Sequence, residues 1–127
     1  MFDLDHFGKI NKLHGHQVGD RILKAFADVL RGRLRASDLV ARFGGEEFVA
    51  VLDGTTRIEA MRLAEQIREA FSGVRFALPD GSAVGCTVSA GCSALVASEI
   101  AGSLVIERAD VGLAMAKASG RNRVVAA

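Results

Sequence analysis

The sequence predicts an α+β domain in which one antiparallel or mixed sheet is covered by helices. Two features indicate it: short alternating apolar runs typical of strands, and longer stretches whose apolar residues recur at helical spacing. The 127 residues are 50% hydrophobic and include a single proline. Such a chain fits one globular domain, residues 1–127, and excludes the disordered, collagenous and low-complexity classes.

The first half of the chain predicts a strand, two helices and a hairpin. They are expected at residues 1–4, 5–15, 20–36 and 39–52. Asp5 is placed to cap the first helix and Gly15 to end it, and the second helix has a clear amphipathic stripe. The hairpin follows from two apolar runs around Gly44 and Gly45, because paired glycines tolerate the positive φ angles of a tight turn.

The second half predicts a helix, a second hairpin, a third long helix and a closing strand. They are expected at residues 56–71, 74–92, 105–120 and 124–126. Thr56 and Glu59 have the spacing of a capping box, which begins the helix. The Pro79–Gly81 segment is a typical turn between alternating runs, and Gly120 ends the last apolar stripe.

Charge and cysteine content exclude several classes of protein. Sixteen basic and fifteen acidic residues give a net charge of +1, so no overall field attracts nucleic acid or an anionic membrane. A ferredoxin-like nucleic-acid binder would also need basic stripes and paired surface aromatics. Cys86 and Cys92 lack metal-ligand spacing and are expected to be buried thiols. No apolar run reaches about 18 residues, which predicts a cytoplasmic location without membrane insertion.

The first candidate site is the turn Gly44-Gly45-Glu46-Glu47. Neighbouring strand residues point to opposite faces, so one glutamate can face a ligand and the other a neighbour. The glycines let the main chain approach a nucleotide because no Cβ intervenes. The alternative is a solvated hairpin with two solubilising glutamates.

Asp3, at the end of the first strand, can converge with Glu46 on a hard divalent cation, because magnesium favours a few carboxylates plus water and phosphate oxygens. Asn11 and Asp20 complement the guanine edge, which offers ring N–H and amino donors. Each has a simpler alternative: Asp20 as a helix cap, and Asn11 as an ordinary polar residue near a helix end.

Four ordered blocks across nearly the whole chain resemble the GGDEF-domain diguanylate cyclases, a bacterial signalling family. The blocks are Asp3–Phe7 with Asn11, Gly15–Asp20, Arg42–Phe48, and Ala116–Asn122. The resemblance implies a palm-like, ferredoxin-like sheet related to nucleotidyl cyclases and polymerases. It also implies the activity: two GTP-loaded domains meet face to face as a homodimer and form cyclic di-GMP and pyrophosphate.

The resemblance further implies roles for individual residues. The metal carboxylates are Asp3 and Glu46, with the Leu4 carbonyl as a main-chain ligand for Mg²⁺ or Mn²⁺, and Glu47 as a further catalytic carboxylate. Glu46 is also the candidate that aids deprotonation of the attacking hydroxyl. The substrate-binding set comprises Asn11, His16, Asp20, Gly44, Gly45, Lys117 and Arg121. Within it, Lys117 and Arg121 resemble the terminal-phosphate clamp, and their spacing places them on one helical side.

Arg35 and Asp38 match the R-x-x-D pattern by which the family binds cyclic di-GMP as an inhibitor. An arginine can fork into guanine or phosphate while the aspartate accepts from guanine donors. Gln66 stands where some relatives have a further arginine. This second site leaves an alternative function open, a weakly active or inactive module that senses cyclic di-GMP.

The chain departs from the family pattern at several positions. Gly8 replaces a common phosphate-contacting lysine, Lys12 a common aspartate and Ala114 a frequent tyrosine. Relatives also carry a preceding helix and more of the first strand, together with upstream sensory or receiver domains. We therefore expect a shortened domain that is marginally stable as a monomer and open to rescue by an intermolecular strand.

Overall fold

The computed structural model describes residues 1–99 and 102–127, which form an α+β domain. Its strands are β1 (Phe2–Leu4), β2 (Leu39–Arg42), β3 (Glu47–Val51), β4 (Phe76–Ala77), β5 (Ala83–Val84), β6 (Val88–Cys92) and β7 (Val124–Ala126). Its helices are α1 (Phe7–His14), α2 (His16–Arg33), α3 (Arg57–Ser72) and α4 (Ser103–Ala118). The predicted fold class is confirmed.

Five strands form the main sheet in the order β2-β3-β1-β6-β7. The sheet is mixed, because β6 and β7 are parallel while the other neighbours are antiparallel. The hairpin expected over 74–92 was partly wrong: β4 and β5 form a separate ribbon, and β6 joins the main sheet beside β1. Alternation shows that a segment is a strand but does not show which strand it pairs with.

The core on one face of the sheet is built around Phe26 of α2. Its ring lies 5.5 Å from that of Phe2, 5.0 Å from that of Phe48 and 5.1 Å from that of Phe71, centroid to centroid. Tilted and edge-on contacts at these distances stabilise beyond simple burial. These rings hold β1 and β3 against α2 and α3, so the strand carrying Asp3 is fixed by the core beneath it.

Helix α4 covers the opposite face of the sheet at unusually close range. A Cβ on Gly91 of β6 would collide with the α4 backbone at Ala109 and Leu113. A Cβ on Gly112 of α4 would lie 2.8 Å from the Val125 carbonyl oxygen. Glycine at both positions therefore permits the approach and fixes the position of α4 over β6.

Helix ends follow the sequence in some places and depart from it in others. The capping box of Thr56 and Glu59 is confirmed, and Gly15 ends α1 at a φ of 88°. Helix α2 starts at His16 rather than at Asp20, so the capping alternative for Asp20 is wrong. Asp5 does not cap α1 either: the N-cap is His6, in the left-handed region at a φ of 56°.

An apolar cavity of about 490 Å³ continues the line of β1 beyond Met1. Strands β3 and β6 run past Met1 on either side of it, and Val49 and Cys92 line it. Its wall also includes Ala64 of α3 and Val105 of α4, so it passes through the level of the sheet. The Met1 ammonium lies here, 2.7 Å from the Gly91 oxygen, and burial lowers its pKa.

Both cysteines are free thiols; Cys86 is buried and Cys92 is half-buried. Burial is the main cause that raises the pKa of Cys86 to about 12, with Asp5 and Asp3 adding to it. The thiol is therefore un-ionised at neutral pH. Across residues 1–99 and 102–127, none of the helices combines the length and the apolarity that a bilayer span requires.

Candidate functional site

A cluster of carboxylates lies at the carboxyl end of β1. Asp3 is directly opposite Glu47 of β3 on one side and Ser89 of β6 on the other. Residues directly opposite each other share a face of the sheet, so Asp3 and Glu47 point to the same side. The Leu4 amide donates to the Glu46 carbonyl at 3.2 Å, which places Glu46 immediately beside the end of β1.

Asp3 is buried at 6% exposure and forms an ion pair with Lys117. The Lys117 Nζ lies 2.6 Å from Asp3 Oδ2, and its side chain is 36% exposed. Lys117 belongs to the last turn of α4, the helix fixed over β6 by Gly91 and Gly112. The close approach of α4 therefore brings Lys117 to the carboxylates.

Glu46 shows how the charges of this cluster interact. Burial raises the pKa of Glu46, and the neighbouring Asp3 and Glu47 carboxylates raise that pKa further. Lys117 acts in the opposite direction and lowers the pKa of Glu46. Glu46 thus lies within electrostatic range of two further carboxylates and one ammonium group, an arrangement that favours binding of a further cation or retention of a proton.

The Gly44-Gly45 turn is a four-residue loop, 43–46, between β2 and β3. The predicted hairpin is confirmed, because β2 and β3 pair antiparallel, but neither glycine has a positive φ, so the expected tight turn was wrong. The loop is instead closed by Arg42, whose guanidinium donates to the carbonyls of Gly44 and Gly45, both at 3.1 Å from Nε. A Cβ on Gly45 would meet nothing within 4 Å, so the main chain here is open to an approaching ligand.

Asn11 and His16 lie together where α1 meets α2. The Asn11 Nδ2 donates to His16 Nδ1 at 3.0 Å, and both residues line a cavity of about 610 Å³ with Gly8, Lys9 and Lys12. Asn11 Oδ1 is buried and has no hydrogen-bond partner among the residues that the structure describes, and it lies where a Cβ on Gly19 would be. Asp20 follows Gly19 directly and is exposed. The structure therefore groups Asn11 with His16 and places Asp20 next to the contact.

The predicted phosphate clamp is built differently from the expectation. Helix α4 ends at Ala118, and Gly120 and Arg121 adopt positive φ angles of 121° and 63°. Lys117 and Arg121 therefore do not share a helical side, and that prediction was wrong. The Arg121 amide instead donates to the Ala116 carbonyl at 2.9 Å, a closing bond that turns the chain back at the helix end.

Arg35 and Asp38 form a second, preorganised polar group after α2. The Arg35 amide donates to Asp38 Oδ2 at 2.9 Å, and its Nη2 donates to the Asp53 carbonyl at 2.6 Å and to Thr55 Oγ1 at 3.0 Å. The hydrogen bond from the Arg35 amide is the largest cause that lowers the pKa of Asp38. The Arg35 side chain remains 60% exposed and so is accessible to a ligand.

Sequence reasoning missed two residues that support the site. Asp5 was assigned to a helix cap, but its carboxylate accepts from Thr87 Oγ1 at 2.7 Å and from Ser89 Oγ at 2.6 Å. Hydroxyl residues alternating through a buried strand were the signal that could have found it. Arg42, which holds the glycine loop, is one of many arginines and gave no separate signal.

The donor set fits a divalent cation of the magnesium type. Within the described parts of the chain, no three His, Cys, Asp or Glu side chains form a ready-made metal cluster. Magnesium does not need one, because it takes one or two carboxylates and completes its shell with water and phosphate oxygens. Asp3 and Glu46 can supply those carboxylates once Lys117 gives up its place.

Comparison with known proteins identifies the family of the chain. Residues 1–123 match the family described as diguanylate cyclase, GGDEF domain. The chain therefore belongs to the GGDEF-domain family. It is 43% identical over 126 residues to the response regulator PleD of Caulobacter vibrioides, and 44% identical over 124 residues to diguanylate cyclase DgcP of Pseudomonas aeruginosa.

Solved structures resemble the chain over almost its whole length. The GGDEF domain of DgcB from Caulobacter crescentus, in complex with c-di-GMP, has a TM-score of 0.93 at 33% identity. The active GGEEF domain of a diguanylate cyclase from Vibrio cholerae has a TM-score of 0.90 at 34% identity. Each comparison covers 98% of this chain, and 74% and 78% of the respective solved chains.

The curated relatives are much longer proteins. The chain is matched over 98% of its length in both, but covers only 28% of PleD and 18% of DgcP.

Proposed function

We propose that this chain is a diguanylate cyclase domain that condenses two GTP molecules into cyclic di-GMP and pyrophosphate. The observation that carries the proposal is the grouping of Asp3, Glu46 and Glu47 with Lys117 beside the open Gly44-Gly45 loop. The names of the relatives support the same activity.

Asp3 and Glu46 hold the divalent cations in this proposal, with the Leu4 carbonyl as a main-chain ligand. Bound Mg²⁺ or Mn²⁺ neutralises the triphosphate and lowers the pKa of the attacking hydroxyl. Glu46 is the candidate that accepts the proton from that hydroxyl, because it lies immediately beside the end of β1, next to the metal carboxylate Asp3. Glu47 adds negative charge next to Asp3.

The remaining site residues orient GTP. Asn11 and Asp20 read the guanine edge, and His16 holds the Asn11 amide through the hydrogen bond to its Nδ2. Lys117 and Arg121 bind the terminal phosphates. Gly44 and Gly45 leave room for the triphosphate because neither residue carries a side chain.

The reaction requires two copies of the domain. Each 3'-hydroxyl oxygen attacks the α-phosphorus of the GTP held by the partner copy, and the bond to the β-phosphate breaks as pyrophosphate leaves. Two such steps close the ring, so a face-to-face homodimer is the competent form. In the full-length protein, an upstream sensory or receiver domain would control this pairing; the greater length of the relatives supports such a domain.

The test is formation of cyclic di-GMP from GTP and Mg²⁺, measured by liquid chromatography with mass detection. Glu46→Gln should abolish turnover and leave the fold intact, whereas Glu107→Gln, at an exposed position of α4, should behave as wild type. Unchanged turnover in Glu46→Gln would refute the assigned role. A wild-type protein that forms dimers and binds GTP but yields no product would refute the activity.

A second candidate function is sensing of cyclic di-GMP at Arg35 and Asp38. The favouring observation is that both groups are held in place by Asp53 and Thr55 before any ligand arrives. Calorimetric titration of cyclic di-GMP should show binding that Arg35→Ala abolishes and that Arg31→Ala, at an exposed position of α2, retains. Equal affinity in the Arg35→Ala variant would exclude this site.

A further inference from the structure

Lys117 has two roles that it cannot fill at the same time. Its ammonium is bound to Asp3, with Nζ 2.6 Å from Oδ2, yet the proposed function requires it at the terminal phosphates. We propose that Lys117 is an internal counter-ion that occupies the Asp3 carboxylate until a divalent cation replaces it and the triphosphate receives it. The inference rests on the proposed function, because Asp3 must be a metal ligand.

The geometry allows Lys117 to move while Asp3 stays. Asp3 is fixed in the central strand, with Glu47 and Ser89 directly opposite on its two sides. Lys117 lies in the last turn of α4 and is half-buried at 36% exposure. Its long flexible stem can change rotamer without any movement of the helix. An exchange of partners therefore needs a side-chain movement only.

The charges explain why a counter-ion is present. Asp3 is 6% exposed, and a buried carboxylate without a partner is strongly unfavourable. Glu46 and Glu47 add further negative charge nearby, as the raised pKa of Glu46 shows. Lys117 offsets this charge in the metal-free protein, so it substitutes electrostatically for the cation.

The exchange couples metal and nucleotide binding. A metal ion that binds alone must displace the ammonium of Lys117 from Asp3, and the ammonium then needs another anionic partner. A triphosphate supplies that partner, so nucleotide and metal should each strengthen binding of the other, and by the same factor. The free protein should therefore bind metal more weakly than its carboxylates would allow.

The test measures Mn²⁺ affinity in the nucleotide-free protein, by the electron paramagnetic resonance signal of unbound Mn²⁺. Lys117→Gln should tighten Mn²⁺ binding by about tenfold, the scale of a lost hydrogen bond between charged groups. Lys117→Arg keeps the pairing charge and should match wild type. Arg123→Gln removes one positive charge from the loop after α4 without touching Asp3, and should change the affinity little.

Measurements at two ionic strengths distinguish direct competition at Asp3 from a long-range effect of charge. At about 0.5 M salt the screening length falls to about half of its value at 0.1 M, so a distant charge effect fades while a direct competition persists. The gain in Lys117→Gln should remain at high salt. A gain that disappears there, or one that Arg123→Gln reproduces, would overturn the proposal.

The Asp3→Asn variant distinguishes failure of the counter-ion proposal from failure of the proposed metal site. If Asp3→Asn loses Mn²⁺ binding and Lys117→Gln has wild-type affinity, the counter-ion proposal is wrong and the metal site stands. If Asp3→Asn binds Mn²⁺ as wild type does, the proposed function itself loses its metal ligand. Melting temperatures of all variants confirm that each compared protein is folded.

Discussion

Asp3 and Asp5 lie two residues apart at the end of the same strand, and both are buried, at 6% and 4% exposure. Their surroundings differ in kind. Asp5 is surrounded by neutral donors, the hydroxyls of Thr87 and Ser89. Asp3 pairs with one flexible ammonium, that of Lys117.

The difference separates a carboxylate that stabilises the fold from one that we propose as a metal ligand. The Asn122 amide completes the shell of Asp5 at 3.0 Å and ties the loop after α4 to the first strand. A buried carboxylate that accepts three hydrogen bonds from neutral donors stabilises the fold. A carboxylate whose partner can leave is available to a cation. Burial alone does not distinguish the two.

The largest effect is expected from substitution of Asp3, the proposed metal ligand. Asp3→Asn should lower the rate of cyclic di-GMP formation by about 1,000-fold, the upper range for loss of one electrostatic stabiliser. Stability should change little, because removing Asp3 also removes its repulsion with Glu46 and Glu47. Steady-state kinetics measure the rate, and thermal melting measures the stability. A melting temperature that falls as far as that of Asp5→Asn would break the distinction.

The second largest effect is expected from substitution of Asp5, and it is a loss of stability. Asp5→Asn replaces an acceptor with an amide that meets the donors of Thr87 and Ser89, and should cost about 3 kcal/mol of unfolding free energy. Urea denaturation measures it. Asp28→Asn, exposed on α2, is the matched control and should be neutral. A neutral Asp5→Asn would show that its hydrogen bonds do not stabilise the fold.

A third effect concerns the helix that carries Lys117. Gly112→Ala places a Cβ 2.8 Å from the Val125 carbonyl oxygen, so α4 must shift, at a cost of about 2 kcal/mol. Gly32→Ala meets nothing within 4 Å on α2 and should be neutral or stabilising by up to about 1 kcal/mol. Urea denaturation of the pair checks this. Equal stability of the two variants would contradict the close seating of α4.

The smallest effect is a dependence of stability on pH through Glu46. Its pKa is raised in the folded protein, mainly by burial and then by Asp3 and Glu47. The folded state therefore holds this proton more tightly than the unfolded state. The stability that this proton contributes is lost as pH rises from the ordinary glutamate range through the raised pKa.

Glu46→Gln removes the titrating carboxylate, so the variant does not lose this stability as pH rises. The variant should be more stable than wild type by less than about 1 kcal/mol at neutral pH, with the difference shrinking as the pH is lowered. Urea midpoints at a series of pH values measure it. A difference that grows toward acid would contradict the raised pKa.

The sequence predicted the fold class and most elements, because amphipathic stripes and alternating runs depend on local spacing. It predicted the capping box at Thr56 and the helix end at Gly15 for the same reason. The sequence-based prediction failed where the pairing strand or the hydrogen-bond partner is distant in the chain. The pairing of β6 with β1 and the true role of Asp5 depend on contacts over about eighty residues, which no local pattern encodes.

The candidate site was predictable as a set of residues but not as an arrangement. The resemblance named Asp3, Glu46 and Lys117, and the structure adds that Asp3 and Lys117 are bonded to each other. The spacing of Lys117 and Arg121 was misread as helical because Gly120, which ends the stripe, also ends the helix before Arg121. The assigned roles of these residues stay predictions.

The most direct test of the account is the position of Mn²⁺ in crystals grown with a non-reactive GTP analogue, located by anomalous diffraction. The account predicts a metal coordinated by carboxylate oxygens of both Asp3 and Glu46, with the Lys117 ammonium moved from Asp3 to a phosphate. A bound analogue whose metal lies away from these two carboxylates, with the ion pair of Asp3 and Lys117 unbroken, would contradict it.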